Sequence, residues 1–356
     1  MTILIGNLGL ALALLAAAIA LTAAFIAGQL QIDRALKIAR LSLVGVFAML
    51  SMSSLTLLSA LIDDDYRLGY VGRFTEKALP VGYKVAAFWA GQEGSLLLWA
   101  WLIAGLTVLF CVLTWKRTGT ESAVVTGTLA VITGFFAALM LFAANPFIPL
   151  PAGEIPLDGG GLNPALQHPA MIAHPPILFL GYSGFAIPFA MMVGALWTRR
   201  TDNRWVLEIR RWTVVSWLAL TVGILLGAQW AYVELGWGGY WAWDPVENAS
   251  LLPWLTGTAL IHSIIVQQQR GMLKPWNAIL LSLTFILCVF GTYITRSGVV
   301  ESVHSFGKSL IGDFFLAFLA TLVVGSWLLI ILRLRELKSE HTLETIWGRE
   351  GAFMIA

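Results

Sequence analysis

One tryptophan-rich stretch and five histidines carry most of the chemistry this sequence can offer. The stretch runs from Gln229 to Trp254: Q-W-A-Y-V-E-L-G-W-G-G-Y-W-A-W-D-P-V-E-N-A-S-L-L-P-W. It holds Trp230, Trp237, Trp241, Trp243 and Trp254, with Tyr232 and Tyr240, and has no Lys or Arg. Gly236, Gly238 and Gly239 interrupt the aromatics. Glycine lets a backbone approach a flat partner closely, and Trp and Tyr offer rigid apolar faces with polar handles. Together they suit a large, planar, mostly apolar ligand: a porphyrin, a quinone or a lipid headgroup. An interfacial aromatic belt accounts for Trp197, Trp212 and Trp276, but poorly for aromatics clustered around glycines. Asp244, Pro245 and Glu247 have the spacing of a helix start, with Asp at the N-cap, Pro at N1 and Glu at N3.

A neutral imidazole binds haem iron well, and two axial imidazoles give a six-coordinate iron. His174 precedes Pro175 and Pro176, where the fifth apolar span is expected to begin. His304 lies in the loop after the eighth span. By the charge count below, both share a side with the aromatic loop. They could therefore flank a metalloporphyrin there, or simply sit at two helix ends. His262 lies inside an apolar run. Helical rise places it roughly 14 Å below Pro253, or 25 Å below Pro245. An ionisable group at that depth is a functional candidate; the plain alternative is a neutral imidazole bonded to a nearby Ser or Thr. His168 reads as a loop residue and His341 as solvated surface.

These residues must be positioned by membrane helices. Of 356 residues, 58% are hydrophobic and only 12% charged, about half the usual charged share. The mean hydropathy is +0.80. A disordered chain, a nucleic-acid binder and an ordinary cytosolic enzyme are excluded, and a net charge of +2 says little about partners. Nine stretches are apolar for the roughly 20 residues a crossing needs: 3–30, 41–62, 95–115, 122–144, 176–198, 212–230, 251–267, 276–294 and 312–332. The expected fold is all-α and polytopic, a single membrane-embedded domain over 1–356 with an extracytoplasmic Trp-rich loop. The first span is too long for a signal-peptide core and lacks a preceding basic residue, so it reads as an uncleaved crossing. A tenth span starts near Gly351, so a truncated or split polypeptide is expected. Cys111 and Cys288 sit in apolar runs and read as core or lipid-facing residues.

Alternate loops differ in charge. The set 31–40, 116–121, 199–211, 267–276 and 333–350 holds 16 Lys and Arg; the set 63–94, 145–175, 231–250 and 295–311 holds 6. The positive-inside rule makes the first set cytoplasmic. The amino terminus and the aromatic loop then lie outside. The outside loops are also the longer ones, where function tends to sit.

The segment W-G-G-Y-W-A-W-D-P-V-E-N-A-S resembles the WWD segment of haem-handling membrane proteins. Three further stretches, W-A-G-Q-E-G-S-L-L-L-W at 89–99, H-P-P-I-L-F-L-G-Y at 174–182 and R-S-G-V-V-E-S-V-H-S-F at 296–306, appear in the same order. By these four motifs the chain is similar, over nearly its whole length, to the CcmF and NrfE family of cytochrome c-type biogenesis proteins, the haem lyases. The resemblance implies a bacterial inner-membrane protein whose WWD loop faces the periplasm. It implies a substrate haem at the WWD site, ligated or guided by His174 and His304, and a buried haem b with His262 as one iron ligand. The family's second ligand to that buried haem lies in a later helix, beyond Ala356.

On this reading Trp237, Tyr240, Trp241 and Trp243 contact the porphyrin, with Asp244 and Arg296 nearby. Arg296, Lys308, Arg73 and Lys84 are candidate partners for the haem propionates by sidedness alone. Glu93 matches the family motif and otherwise reads as a helix-start acid. Asp63, Asp64 and Asp65 read as a solvated helix end. The implied enzyme is a haem lyase of the holocytochrome c synthase type, working in a complex. Its implied partners are a CcmE-like haem-delivering chaperone, a CcmH-type thiol-handling subunit, apocytochrome c, membrane lipid and a quinol. No catalytic nucleophile or base is assigned, because the substrate brings its own thiols. Two alternatives remain open: a haem carrier without ligation activity, and a nitrite-reductase-specific assembly factor of the NrfE type.

Overall fold

The structure, a computed structural model, describes residues 1–202, 204–234, 236, 238–300 and 310–339. Twelve α-helices account for almost all of them: α1 (Thr2–Leu30), α2 (Asp33–Ile62), α3 (Gly69–Phe74), α4 (Val81–Ala90), α5 (Gln92–Leu113), α6 (Gly119–Phe142), α7 (Pro169–Gly184), α8 (Ala186–Trp197), α9 (Arg204–Glu234), α10 (Pro245–Arg270), α11 (Lys274–Ser297) and α12 (Ile311–Leu332). Among the described residues there is no strand beyond one isolated bridge, Leu68 to Pro149. Nine segments among them are long and apolar enough to cross a membrane, with α7 and α8 forming one crossing, Pro169–Trp197. The nine expected spans are therefore nine helical crossings, and the protein is an all-α membrane protein.

Most helices start earlier than the apolar runs do. The first turns of α9 carry Glu208, Arg210 and Arg211, so the hydrophobic window marks the apolar length and not the helix. At the fifth crossing, expected from 176, the helix begins at Pro169. Its N-cap is His168, whose Nδ1 accepts the Ala170 N–H at 3.1 Å. His168 is thus a capping residue rather than a plain loop residue, and its Nε2 lies 3.9 Å from Glu234. Pro175 and Pro176 lie inside α7 rather than at its start. A proline removes the N–H owed to the carbonyl four residues back. The carbonyl that Pro175 deserts, that of Met171, accepts the Trp89 indole N–H at 2.7 Å. Pro253 in α10 deserts Ala249 in the same way, and the Tyr182 hydroxyl donates there at 3.3 Å. The break between α7 and α8 falls at Phe185, just ahead of Pro188.

Small residues set how closely the crossings pack, as expected between membrane helices. The buried face of α1 reads Gly6, Gly9, Leu10, Ala13, Ala17, Ala20, Ala24 and Ala27, a stripe at helical spacing against α2 and α6. A side chain at Gly6 would run into the Phe147 ring, and Ser53 Oγ donates to the Gly6 carbonyl at 3.0 Å. Between α7 and α9 the contact is backbone to backbone: a Cβ on Gly181 would sit 2.6 Å from Leu220 N, and one on Gly223 2.7 Å from Leu178 Cα. Cys111 and Cys288 are buried and unlinked. Large apolar side chains such as Leu4, Phe25, Val215 and Trp327 face outward, as a bilayer requires.

The two loop sets separate to opposite ends of the bundle. At one end the Gly69 N–H reaches the Ile148 carbonyl at 3.2 Å, and Arg296 reaches Gln92 and Ser95. At the other, Arg40 bonds the carbonyls of Trp115 and Arg117, and Arg333 Nε donates to the Leu196 carbonyl at 2.9 Å. Two of the three aspartates after α2 are engaged within the chain. Asp64 pairs with the buried Lys84, and Asp65 accepts two bonds from Arg67 at 2.6 and 2.7 Å. The Arg67 hydrogen bonds hold the Asp65 carboxyl below the usual carboxylate range.

Candidate functional site

His174 points from the second turn of α7 towards α9. Its Nδ1 lies 2.7 Å from the Gly223 carbonyl. A carbonyl only accepts, so Nδ1 carries the proton and Nε2 carries the lone pair, the tautomer a metal ligand needs. The ring fits there because residue 227 has no side chain: a Cβ on Gly227 would lie 2.5 Å from His174 Cε1. Gly223 and Gly227 form a G-x-x-x-G pair, G-I-L-L-G. That spacing lets helices approach, and here it seats an imidazole as well as a backbone.

His174 lines a cavity of about 150 Å³ between α7, α9, α10 and α11, at the aromatic-loop end of the bundle. The walls are Leu178, Phe179, Tyr182, Ile224, Gly227, Trp230, Trp241, Glu247, Thr292, Thr295 and Arg296. Trp230 stands beside the imidazole, with ring centroids 6.1 Å apart. The indole nitrogens of both Trp230 and Trp241 are buried without a hydrogen-bond partner. A buried donor left unpaired costs about 1–3 kcal/mol, so both donors fit a ligand that brings acceptors. Arg296, 2% exposed, adds a guanidinium to the wall. Its Nη1 donates to the Gln92 carbonyl at 3.2 Å and its Nη2 to Ser95 Oγ at 2.9 Å.

The G-Q-E-G-S segment anchors that arginine. α5 starts at Gln92 with Glu93 in its first turn, the helix-start acid expected from sequence. Arg73 Nη2 bonds Glu93 Oε1 at 2.8 Å. The Tyr70 hydroxyl donates to the carbonyls of Ala87 and Phe88 and accepts the Gly91 N–H, all at 3.0 Å. A side chain at Gly94 would strike the Phe88 carbonyl and the Tyr70 hydroxyl. The motif thus folds a tight helix start whose carbonyl and hydroxyl hold Arg296.

The aromatic loop divides. Trp241 turns inward, while Trp243, 71% exposed, and Tyr240 face outward. Trp243 has φ 59°. Tyr240 stacks on Tyr232 with centroids 4.4 Å apart, and Trp241 meets Trp243 edge-on at 6.5 Å. Gly236 and Gly238 take positive φ, 68° and 73°. No atom outside their immediate neighbours lies within 4 Å of a Cβ at either, so these glycines serve the turn rather than close packing. Asp244 and Glu247 form the expected capping box: Asp244 Oδ2 accepts the Val246 N–H at 2.9 Å, and Glu247 Oε2 accepts the Asp244 N–H at 3.3 Å.

Of the candidates read from sequence, His174, Trp241 and Arg296 come together in one cavity. Asp244 caps α10 beside it. Arg73 is engaged with Glu93, and Lys84 is engaged with Asp64. Trp237, His304, Lys308 and His341 lie outside the described residues. His262 is 17 residues beyond Pro245 on the outward face of α10, with Nδ1 2.9 Å from the Thr258 carbonyl. It stands apart from the His174 cavity. Trp217 and Trp254 stack near it at 5.8 Å and donate to Thr258 and Thr221. The wall residues Trp230 and Tyr182, and the Gly223–Gly227 seat, were not read as site residues. The glycine spacing was the available signal.

With this geometry established, known proteins supply a comparison. The model of the family described as Cytochrome C assembly protein matches residues 89–301. The chain is 42% identical over 321 residues to the cytochrome c-type biogenesis protein CcmF of Pseudomonas aeruginosa, covering 90% of this chain and 49% of that one. It is 41% identical over 311 residues to CcmF of Escherichia coli, covering 87% and 48%. To the cytochrome c-type biogenesis protein NrfE of Haemophilus influenzae it is 43% identical over 265 residues, covering 73% and 41%. A solved structure described as the cytochrome c heme lyase CcmF aligns with a TM-score of 0.80 at 32% identity, covering 100% of this chain and 54% of that one. The chain spans about half the length of the curated relatives it matches.

Proposed function

Because the chain belongs to the cytochrome c assembly protein family, we propose that it acts in cytochrome c maturation as a haem lyase or a subunit of one. It binds substrate haem in the His174 cavity and positions it for attachment to the C-x-x-C-H segment of an apocytochrome c. The observation that carries this reading is the placement of His174 Nε2 in a cavity with two unpartnered indole donors and a buried guanidinium. The apolar walls suit the macrocycle, the imidazole lone pair suits its iron, and Arg296 and the indoles suit its carboxylates. The haem supplies two vinyl groups. Each substrate thiol adds across one of them, so that an S–C bond forms, the thiol hydrogen ends on the other vinyl carbon, and no external oxidant is consumed.

The chain's own contribution is positioning, which supplies much of the acceleration in such reactions. His174 fixes one face, with His304 proposed as the opposing ligand. Trp241 would form the ledge beside it, with Trp243 and Tyr240 on the outward side of the same loop and Asp244 and Glu247 capping α10 there; Trp237, outside the described residues, is proposed as a further contact. His262, on the outward face of α10, would be one ligand of a haem b, with an imidazole from another polypeptide or segment as the second; such a haem would supply electron-transfer chemistry towards a quinol. The charge count supports a periplasmic position for the cavity at the inner membrane, where a CcmE-like chaperone and a CcmH-type subunit would meet it.

The test is an absorption spectrum of the purified chain from haem-replete cells. His174→Ala and His304→Ala are each expected to lose most of the haem signal. Full retention in both variants would overturn the assignment. Covalent cytochrome c formed from supplied haem and apoprotein separates a lyase from a haem carrier.

A further inference from the structure

At the end of the bundle opposite the aromatic loop lies a second cavity, of about 480 Å³, walled by α2, α5, α6, α8 and α9. Arg40 lines it and is 2% exposed. Its Nη1 donates to the Trp115 carbonyl at 2.7 Å and its Nη2 to the Arg117 carbonyl at 2.9 Å. Its Nε is buried with no partner. Among the described residues no carboxylate lies within ion-pair reach of Arg40, although Glu121 and Glu208 line the same cavity. Both are engaged by other arginines: Glu208 by Arg117 at 2.6 Å and by Arg200 at 3.5 Å, and Glu121 by Arg200 at 2.8 Å. Asp202 lies 3.9 Å from Arg200, with its side chain 47% exposed.

A buried charge needs a counter-charge. The two carbonyls that Arg40 bonds, in the turn after α5, offer it dipoles but no counter-charge. Among the described residues Arg117 and Arg200 are thus met by Glu208, Glu121 and Asp202, while the buried Arg40 is met by no carboxylate. We propose that this cavity binds the phosphate of a membrane phospholipid headgroup, with Arg40 as its inner ligand and Arg117 and Arg200 at its mouth. Planar guanidiniums match phosphate oxygens in pairs. The source is a lipid because the cavity sits at the ends of membrane crossings. The neighbouring turns of α2 and α5 expose Leu41, Val44, Leu109, Val112 and Leu113, where acyl chains would lie. Its apolar floor, Phe110, Val125 and Met191, suits the glycerol end of the headgroup.

The experiment is native mass spectrometry of the detergent-purified chain, titrated separately with phosphatidylglycerol, diacylglycerol and inorganic phosphate. A phosphatidylglycerol adduct is expected, with no diacylglycerol adduct. Arg40→Gln should weaken it by roughly tenfold, the loss of one charge-assisted hydrogen bond. Should that variant fail to fold, the half-exposed Arg117→Gln leaves the Arg40 bonds to the backbone in place and should weaken the adduct in the same direction. Displacement by millimolar inorganic phosphate would assign the site to a free anion and overturn the lipid source. Equal retention of diacylglycerol, or unchanged binding in the folded variants, would overturn the site itself.

Discussion

The Trp89 indole N–H donates at 2.7 Å to the Met171 carbonyl, the carbonyl that Pro175 leaves without its helical partner. Two motifs separated by some eighty residues therefore meet in one hydrogen bond, and that bond satisfies the carbonyl that Pro175 frees inside α7. Tyr182 does the same for α10 at Ala249, deserted by Pro253. His174 and Trp241 both depend on these two helices for position.

Trp89→Phe should destabilise the chain by about 1–3 kcal/mol, the cost of stranding a buried acceptor. In a Pro175→Ala background the restored N–H takes the Met171 carbonyl, so the same substitution should cost much less. Thermal unfolding of the four variants in one detergent reads the coupling. Strict additivity would show that the bond does not serve the proline.

Substitutions at three glycines should separate by what a Cβ meets. Gly223→Ala drives into the α7 backbone and should cost about 1–3 kcal/mol as an overpacked contact. Gly227→Ala meets the His174 ring, so it should disturb the haem spectrum more than the melting temperature. Gly325, with open space around it, should accept Ala with no loss. Melting temperature and haem content, measured together, distinguish the three.

Trp230→Phe and Trp241→Phe each remove an unpartnered indole donor while keeping an aromatic ring. If those donors serve the proposed ligand, each variant should bind haem roughly tenfold more weakly with little change in stability. Haem titration of the apo chain beside a melting curve tests this. Unchanged affinity in both would remove the indoles from the site.

Acid should loosen the segment around Asp158. This carboxylate accepts the Lys77 N–H and the Gly159 N–H, and the Tyr66 hydroxyl, at 2.8–2.9 Å. The Lys77 amide first, then Tyr66, hold its carboxyl below the usual range, while burial and the Asp158 contact push the Tyr66 phenol up. A depressed native value stabilises the fold above the ordinary carboxylate pKa of about 4, and that contribution is lost as pH falls through the lower native value. Asp158→Asn should therefore be less stable than the parent at pH 6, and the gap should narrow as pH drops below about 4. A gap independent of pH would assign the loss to geometry rather than ionisation.

Apolar length and the alternation of basic loops were legible along the chain because both are local properties. A helix of given length must bury its backbone polar groups in itself, so nine apolar runs became nine crossings and the two loop sets parted to opposite ends. The capping box at Asp244 and Glu247 was equally local. What the chain order could not fix was convergence. Arg296 meets Ser95 across some two hundred residues, His174 meets Gly223 and Gly227 from another helix, Lys84 leaves the haem candidates for Asp64, and Trp241 turns inward while Trp243 turns out. The helix start of α7 was missed because a proline pair reads as a boundary when the donor replacing its lost bond, Trp89, lies far away in sequence. Such pairings depend on which helix faces come within a few ångströms, and that distance is set by small residues at crossings, which only the packed structure brings together.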